Sequence, residues 1–183
     1  MPEPEAPMNE LIAAKQTLLA ATRRVSEALP QFSTWLLGGL AAAFALIIAN
    51  VETVSKFIAI THIRFGLLVF LASLALAVIV TYLSTIVRAG LAAQDDGESL
   101  ARKIATSSAK LDINLYMKEY ERGLLPPVRW IAHSAMKKTK AGDVVAGARM
   151  IAKLSQLQAL LVVLQGVLAV LAISALACGL KIQ

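Results

Sequence analysis

Charged side chains and cysteine are both scarce in this sequence. Only 16% of the residues are Asp, Glu, Lys or Arg, against about 25% in soluble domains. The single cysteine, Cys178, excludes an internal disulfide and a zinc site built from cysteines. Aromatic residues make up 5% of the chain, so the 57% hydrophobic content comes mainly from Leu, Ala, Val and Ile. This composition is typical of helices that face lipid.

Three long stretches contain no charged residue and no histidine: 28–51, 65–87 and 154–180. A helix needs about 20 apolar residues to cross the hydrocarbon core of a bilayer. The sequence therefore predicts transmembrane helices over 32–51, 65–87 and 157–180. No segment alternates apolar and polar residues in the way a strand does. The predicted fold is an all-α integral membrane protein.

Two further segments precede the first span. Residues 1–8 contain three prolines and predict a disordered tail. Leu11, Leu18 and Val25 recur every seven residues, which predicts an amphipathic juxtamembrane helix over 9–29. Pro30 suits the first turn of the helix that follows, because the first turn has no partner for its N–H group.

The polar segment 88–153 is predicted to form a helical hairpin. A break is expected at 94–97, and apolar spacing predicts a helix over 98–122. Pro126-Pro127 forces a turn, and Pro127 can begin a helix that runs to about residue 140. Gly142-Asp143 predicts a stop and a new N-cap, after which the helical pattern continues into the third span.

The distribution of Lys and Arg predicts the orientation in the membrane. Three of the 18 basic residues precede the first span and twelve lie in 88–153, which leaves three for the opposite side. Because cytoplasmic loops are enriched in Lys and Arg, the N-terminus and 88–153 are expected in the cytoplasm and the C-terminus outside. The alanine-rich spans suggest the inner (plasma) membrane of a bacterium. Acidic residues are mixed among the bases, which argues against nucleic-acid binding.

Each predicted span carries small or polar residues at three- and four-residue spacing, the pattern through which membrane helices pack. Whether the spans pack within one chain or between chains stays open, so a homo-oligomer is one of the expected states. Gln158 and Gln165 lie on one face of the third span, where interhelical hydrogen bonds or a polar pore lining would both use them. The predicted packing residues are Gly38, Ala42, Ala45, Ala49, Ser73, Ala77, Ser84, Gln165, Ala169, Ala172 and Gly179.

The sequence offers no catalytic residue set, cofactor motif or metal-ligand cluster. His62 and His133 are expected on opposite sides of the membrane, so they cannot share a metal ion or an acid–base pair. Cys178 has no base beside it in sequence and is interpreted as a packing residue. Residues 95–98 resemble a fragment of a calcium loop, but the later ligands are missing. We therefore expect a protein that is not an enzyme.

Two features of 88–153 indicate a surface for a protein partner on the cytoplasmic side. Trp130 is expected in a small helical core, with exposure to a partner as the alternative. Lys137, Lys138 and Lys140 form the densest basic run, which is expected near a helix end or at a partner surface. The predicted function is a membrane scaffold or accessory subunit, in contact with lipid and with that partner. A pore-forming or channel-like oligomer, resembling a holin or a toxic effector, is the alternative.

Overall fold

The computed structural model describes residues 8–106 and 112–181, which fold into six helices. These are α1 (Met8–Ala49), α2 (Val51–Phe57), α3 (Ile60–Thr106), α4 (Ile113–Arg122), α5 (Val128–Lys140) and α6 (Ala146–Cys178). Outside the helices, one isolated antiparallel bridge pairs Ile58 with Leu180. The predicted tail 1–8 lies outside the described residues except for Met8, which begins α1.

Three of the helices are long and apolar enough to cross a membrane: α1, α3 and α6. They contain 42, 47 and 33 residues. At a rise of about 1.5 Å per residue they are about 63, 70 and 50 Å long, whereas a bilayer core is about 30 Å thick. The prediction of an all-helical chain with three candidate spans is confirmed, and each span belongs to a helix that extends well beyond it.

The first predicted span does not begin a new helix. Instead α1 continues through Pro30, which lies inside it. Proline removes one backbone N–H donor, and membrane helices tolerate this where packing on both sides holds the helix together. Ser26 and Ser33 are both buried, one turn on either side of Pro30. The hydroxyl of Thr34 also donates to the Pro30 carbonyl at 2.9 Å.

The predicted break at 94–97 is wrong, because α3 runs through it to Thr106. One ion pair joins this stretch to α1 and a second joins the residue after it: Arg23 Nη2 lies 2.7 Å from Asp95 Oδ2, and Lys15 Nζ lies 2.9 Å from Glu98 Oε1. These contacts stabilise a helical turn whose residues have low helix propensity. Of the predicted helix 98–122, residues 98–106 belong to α3 and 113–122 form α4, while 107–111 lie outside the described residues.

The chain divides into two compact units. We call 1–25 with 85–155 the polar unit, because it holds most of the charged residues. Its core is made by side chains from α1, α3 and the α6 end: Leu19, Val87, Leu91, Val145, Ala148 and Ile151. The ends of the three long helices thus form an apolar core, while the hairpin of α4 and α5 contributes no buried residue among its described side chains.

The second unit, 26–84 with 156–183, is called the span unit because it holds most of the three predicted spans. Its core contains Leu40 and Phe44 of α1 and Ala169 and Ala172 of α6, with partly buried residues of α3 packed against them. The rings of Phe44 and Phe70 stack with centroids 5.1 Å apart. Large side chains from α1 and α3 therefore fill the space opposite small residues of α6.

Hydrogen bonds close one end of the span unit. The Ala59 N–H donates to the Gly179 carbonyl at 2.9 Å, and the Lys181 N–H donates to the Phe57 carbonyl at 2.8 Å. Lys181 Nζ donates to the Ser55 carbonyl at 2.8 Å. We call this set the Ile58–Leu180 bridge. It fixes the segment between α2 and α3 against the residues that follow α6.

Candidate interaction surface

The hairpin of α4 and α5 carries the residues predicted to contact a partner. The two helices pack against each other. Glu121 Oε1 of α4 lies 3.1 Å from His133 Nδ1 of α5. Pro127 is the N-cap of α5 and Ala141 is its C-cap. The predicted start and end of this helix are confirmed.

Trp130 lies on the outside of the hairpin, with 69% of its surface exposed. Its expected burial in a small helical core is therefore wrong. The reason is that α4 and α5, at 10 and 13 residues, pack on each other through a side of α5 that does not include Trp130. The α5 face that packs inward is half-buried and carries Ile131 and Met136. Leu125, in the turn between the helices, is 81% exposed.

Lys137, Lys138 and Lys140 occupy the last turn of α5 and are exposed. Lysines are favourable there because the helix dipole is negative at the C-terminus. Lys137 lies two turns after Trp130, so both side chains are on the same face of α5. The structure therefore brings the predicted aromatic contact and the predicted basic run together on one surface.

The predicted packing residues of the second and third spans lie in the interior of the span unit. They are buried on α3, on α6 and just after α6: Ser73, Ala77, Ser84, Gln165, Ala169, Ala172 and Gly179. Gly179 lies close to α3, since an added Cβ would lie 2.6 Å from His62 Cβ. Small side chains at these positions allow close contact between helices.

The stripe on the first span faces away from this interior. Gly38, Ala42, Ala45 and Ala49 are all exposed. Within the chain, α1 packs through larger side chains on another face, which include Leu40 and Phe44. Small residues predict close packing but do not indicate which helix packs against them. Here the described residues of the chain do not cover the stripe. A packing role for the Gly38–Ala49 stripe stays a prediction, now for contacts between chains.

Two glutamines of α6 are completely buried, with no exposed surface at Gln158 or Gln165. Ser33 Oγ donates to Gln165 Oε1 at 2.7 Å, and Gln165 Nε2 donates to the Ser33 carbonyl at 3.5 Å. The amide of Gln158 has no hydrogen-bond partner among the residues that the structure describes. The sequence reasoning missed the buried role of Ser33. A signal was present, because Ser26 and Ser33 have the same seven-residue spacing as Gln158 and Gln165.

No group of three or more His, Cys, Asp or Glu residues in 8–106 and 112–181 could hold a metal ion. His62 packs beside Gly179 in the span unit, and His133 contacts Glu121 in the polar unit. Cys178 is a free, exposed thiol. The two histidines are thus accounted for by packing or by a single polar contact, whereas the exposure of Cys178 contradicts its interpretation as a packing residue within the chain.

Three comparisons with known proteins were made. Neither a protein-family model, nor a curated protein, nor a solved structure matches this chain.

Proposed function

We propose that this protein is a membrane-anchored scaffold or accessory subunit that presents the α4–α5 hairpin to a protein partner. The observation that carries the proposal is the exposure of Trp130 and Leu125 on that hairpin. Exposed apolar residues grouped outside the predicted spans are characteristic of interaction sites. Tryptophan in particular is enriched among residues that dominate binding energy. The three apolar helices would serve as the anchor, in contact with lipid.

Site-specific photocrosslinking in native membranes tests this function. A photoreactive phenylalanine analogue replaces Ser134, which is exposed and lies one turn after Trp130 on the same face. The matched control places the analogue at Ala101, an exposed position on α3. We expect one specific protein adduct from Ser134 and none from Ala101. No adduct from Ser134, or the same adducts from both positions, would contradict the proposal.

We also propose that the N-terminus and the polar unit are cytoplasmic and that the C-terminus lies outside an inner (plasma) membrane. The support is the concentration of Lys and Arg before the first span and in 88–153. A reporter that works only outside the cytoplasm should be active after Gln183 and inactive at Gly123. Activity at Gly123 would reverse the orientation.

A pore-forming or channel-like oligomer is the second candidate. The observation that favours it is the exposed Gly38–Ala49 stripe, a surface through which several copies could pack. The fully buried side chains of Val80, Gln158 and Gln165 fill the interior of the span unit, so a conducting path would have to lie between chains. Ion leakage from vesicles that contain the purified protein would support this candidate, and tight vesicles would exclude it.

A further inference from the structure

The hairpin surface has an excess of positive charge. Residues 112–140 contain six Lys and Arg residues against three carboxylates. The cations are Lys118, Arg122, Arg129, Lys137, Lys138 and Lys140, and the carboxylates are Asp112, Glu119 and Glu121. The surface therefore attracts negatively charged groups, and at physiological salt this attraction acts over a screening length of about 8 Å.

All three carboxylates are already engaged within the hairpin. Glu119 Oε1 lies 2.6 Å from Arg122 Nη1, and Glu121 Oε1 lies 3.1 Å from His133 Nδ1. Asp112 Oδ1 accepts the Leu115 N–H at 3.1 Å. In contrast, no carboxylate of the described residues lies within 4.0 Å of the amines of Lys137, Lys138 and Lys140. No described carboxylate therefore pairs with the positive charge at the end of α5.

Trp130 lies among these cations rather than in an apolar face. Its neighbours on the outer side of α5 are polar or charged: Arg129, His133, Ser134 and Lys137. A helix that inserts into a lipid surface needs a continuous apolar face, whereas Trp130 is the only large apolar side chain that is exposed on α5. The other apolar residues of α5 are half-buried. Tryptophan is enriched among interface hot spots, where the ring fills a pocket of the partner.

We propose that the hairpin binds an acidic protein surface, in which carboxylates surround an apolar pocket that receives Trp130. This inference rests on the proposed scaffold function and names the chemistry of its partner. The carboxylates would pair with the lysines at the end of α5, and the pocket would bury the indole. Charge complementarity of this kind sets specificity and accelerates association.

A defined peptide probe tests the charge complementarity. The Trp35→Phe variant of the full chain, in nanodiscs of neutral phosphatidylcholine, has Trp130 as its only tryptophan. The probe is a synthetic amphipathic helix with leucines on one face and glutamates on the other, and its control peptide has glutamine in place of glutamate. We expect the acidic peptide to shift the Trp130 emission to shorter wavelength in a saturable and salt-sensitive way, whereas the glutamine peptide does not.

Variants locate the binding site. Changing Lys137, Lys138 and Lys140 together to Gln should weaken acidic-peptide binding about tenfold, since exposed ion pairs contribute modestly and three are lost. The matched control changes three exposed cations elsewhere in the polar unit to Gln: Arg102, Lys103 and Lys153. The control should bind like the parent. Equal binding of both peptides, or equal loss in both variants, would overturn the inference.

Two further outcomes distinguish an acidic protein partner from a membrane surface and from a scaffold whose partner is not acidic. A shift of Trp130 emission in peptide-free nanodiscs on replacing neutral by anionic lipid would identify the membrane surface as the occupant and overturn the inference. A specific adduct from Ser134 that is unaffected by the three Lys→Gln changes would keep the scaffold function and refute the acidic partner. Loss of that adduct in the lysine variant, but not in the control variant, would support both.

Discussion

Gly179→Ala is expected to destabilise the protein more than any other single methyl addition at a described glycine outside the turn residue Gly142. An added Cβ would lie 2.6 Å from His62 Cβ and 2.9 Å from Ile58 Cγ2. Neither neighbour can yield easily, because His62 Cβ is fixed to the backbone of α3. The backbone of Gly179 is held as well, since its carbonyl accepts the Ala59 N–H at 2.9 Å. Relief of the contact therefore requires part of the Ile58–Leu180 bridge to separate.

Two contributions determine the expected loss in the free energy of unfolding: the overpacked contact and the weakened backbone hydrogen bond. Overpacking a well-packed site typically costs about 1–3 kcal/mol, and a weakened backbone hydrogen bond adds about 0.5–1.5 kcal/mol. We expect a loss of about 2–3 kcal/mol in the free energy of unfolding. For a chain of this length, 1 kcal/mol corresponds to roughly 2–4 °C in Tm. Gly179→Ala should therefore lower Tm by about 5–10 °C.

Thermal unfolding in mild detergent, followed by circular dichroism, measures the effect. Gly166→Ala, inside α6, is the control, because no neighbouring atom of the described residues lies within 4 Å of its added Cβ. It should raise stability by about 0.5–1 kcal/mol, the usual gain from replacing glycine inside a helix. Gly147→Ala would meet only the mobile amide of Gln94 and should have little effect. If Gly179→Ala melts at or above the temperature of Gly166→Ala, the tight contact at the Ile58–Leu180 bridge is incorrectly placed.

Two further predictions concern the span unit. Ala45→Leu should leave the melting temperature of the dispersed chain unchanged, because Ala45 is exposed, but should weaken association of labelled copies in vesicles as measured by energy transfer. The control is Leu46→Ala, at an exposed neighbouring position. Unchanged association in the Ala45 variant would show that the Gly38–Ala49 stripe does not form a contact between chains. Ser33→Ala should cost about 1 kcal/mol, since it leaves the Gln165 amide short of a partner. Adding Gln165→Leu should recover most of that loss, and strictly additive effects would contradict the bond between the two side chains.

The three candidate spans could be predicted from the sequence because long uncharged stretches have few alternatives. The helix boundaries could not be predicted in the same way, since they depend on contacts between residues that are distant in sequence. Asp95 and Gly97 are poor helix formers, and the stretch that contains them was expected to break α3. It is helical in the structure, and Arg23 and Lys15 of α1 pair there with Asp95 and Glu98. Local propensity is overcome here by partners more than 70 residues away in sequence.

The candidate interaction surface was only partly predictable. Basic charge at the end of α5 can be read from the sequence, because Lys137, Lys138 and Lys140 are close together. The exposure of Trp130 cannot be read from the sequence, since burial depends on whether another helix covers the indole. Likewise the Gly38–Ala49 stripe is easily recognised, but small residues do not indicate which neighbour they contact. In α1 the stacking of Phe44 on Phe70 determines the inward face instead.

The Ile58–Leu180 bridge has a consequence for how the protein is made. Lys181 and Ser55, joined within it, are 126 residues apart, and a ribosome completes α1 and α3 before α6. Until α6 arrives, Ser33 lacks its glutamine partner and Phe44 and Phe70 have no third helix to cover them. Contacts of such long sequence separation form late in folding. The interior between α1 and α3 is therefore complete only after α6 has been synthesised and has packed against both helices.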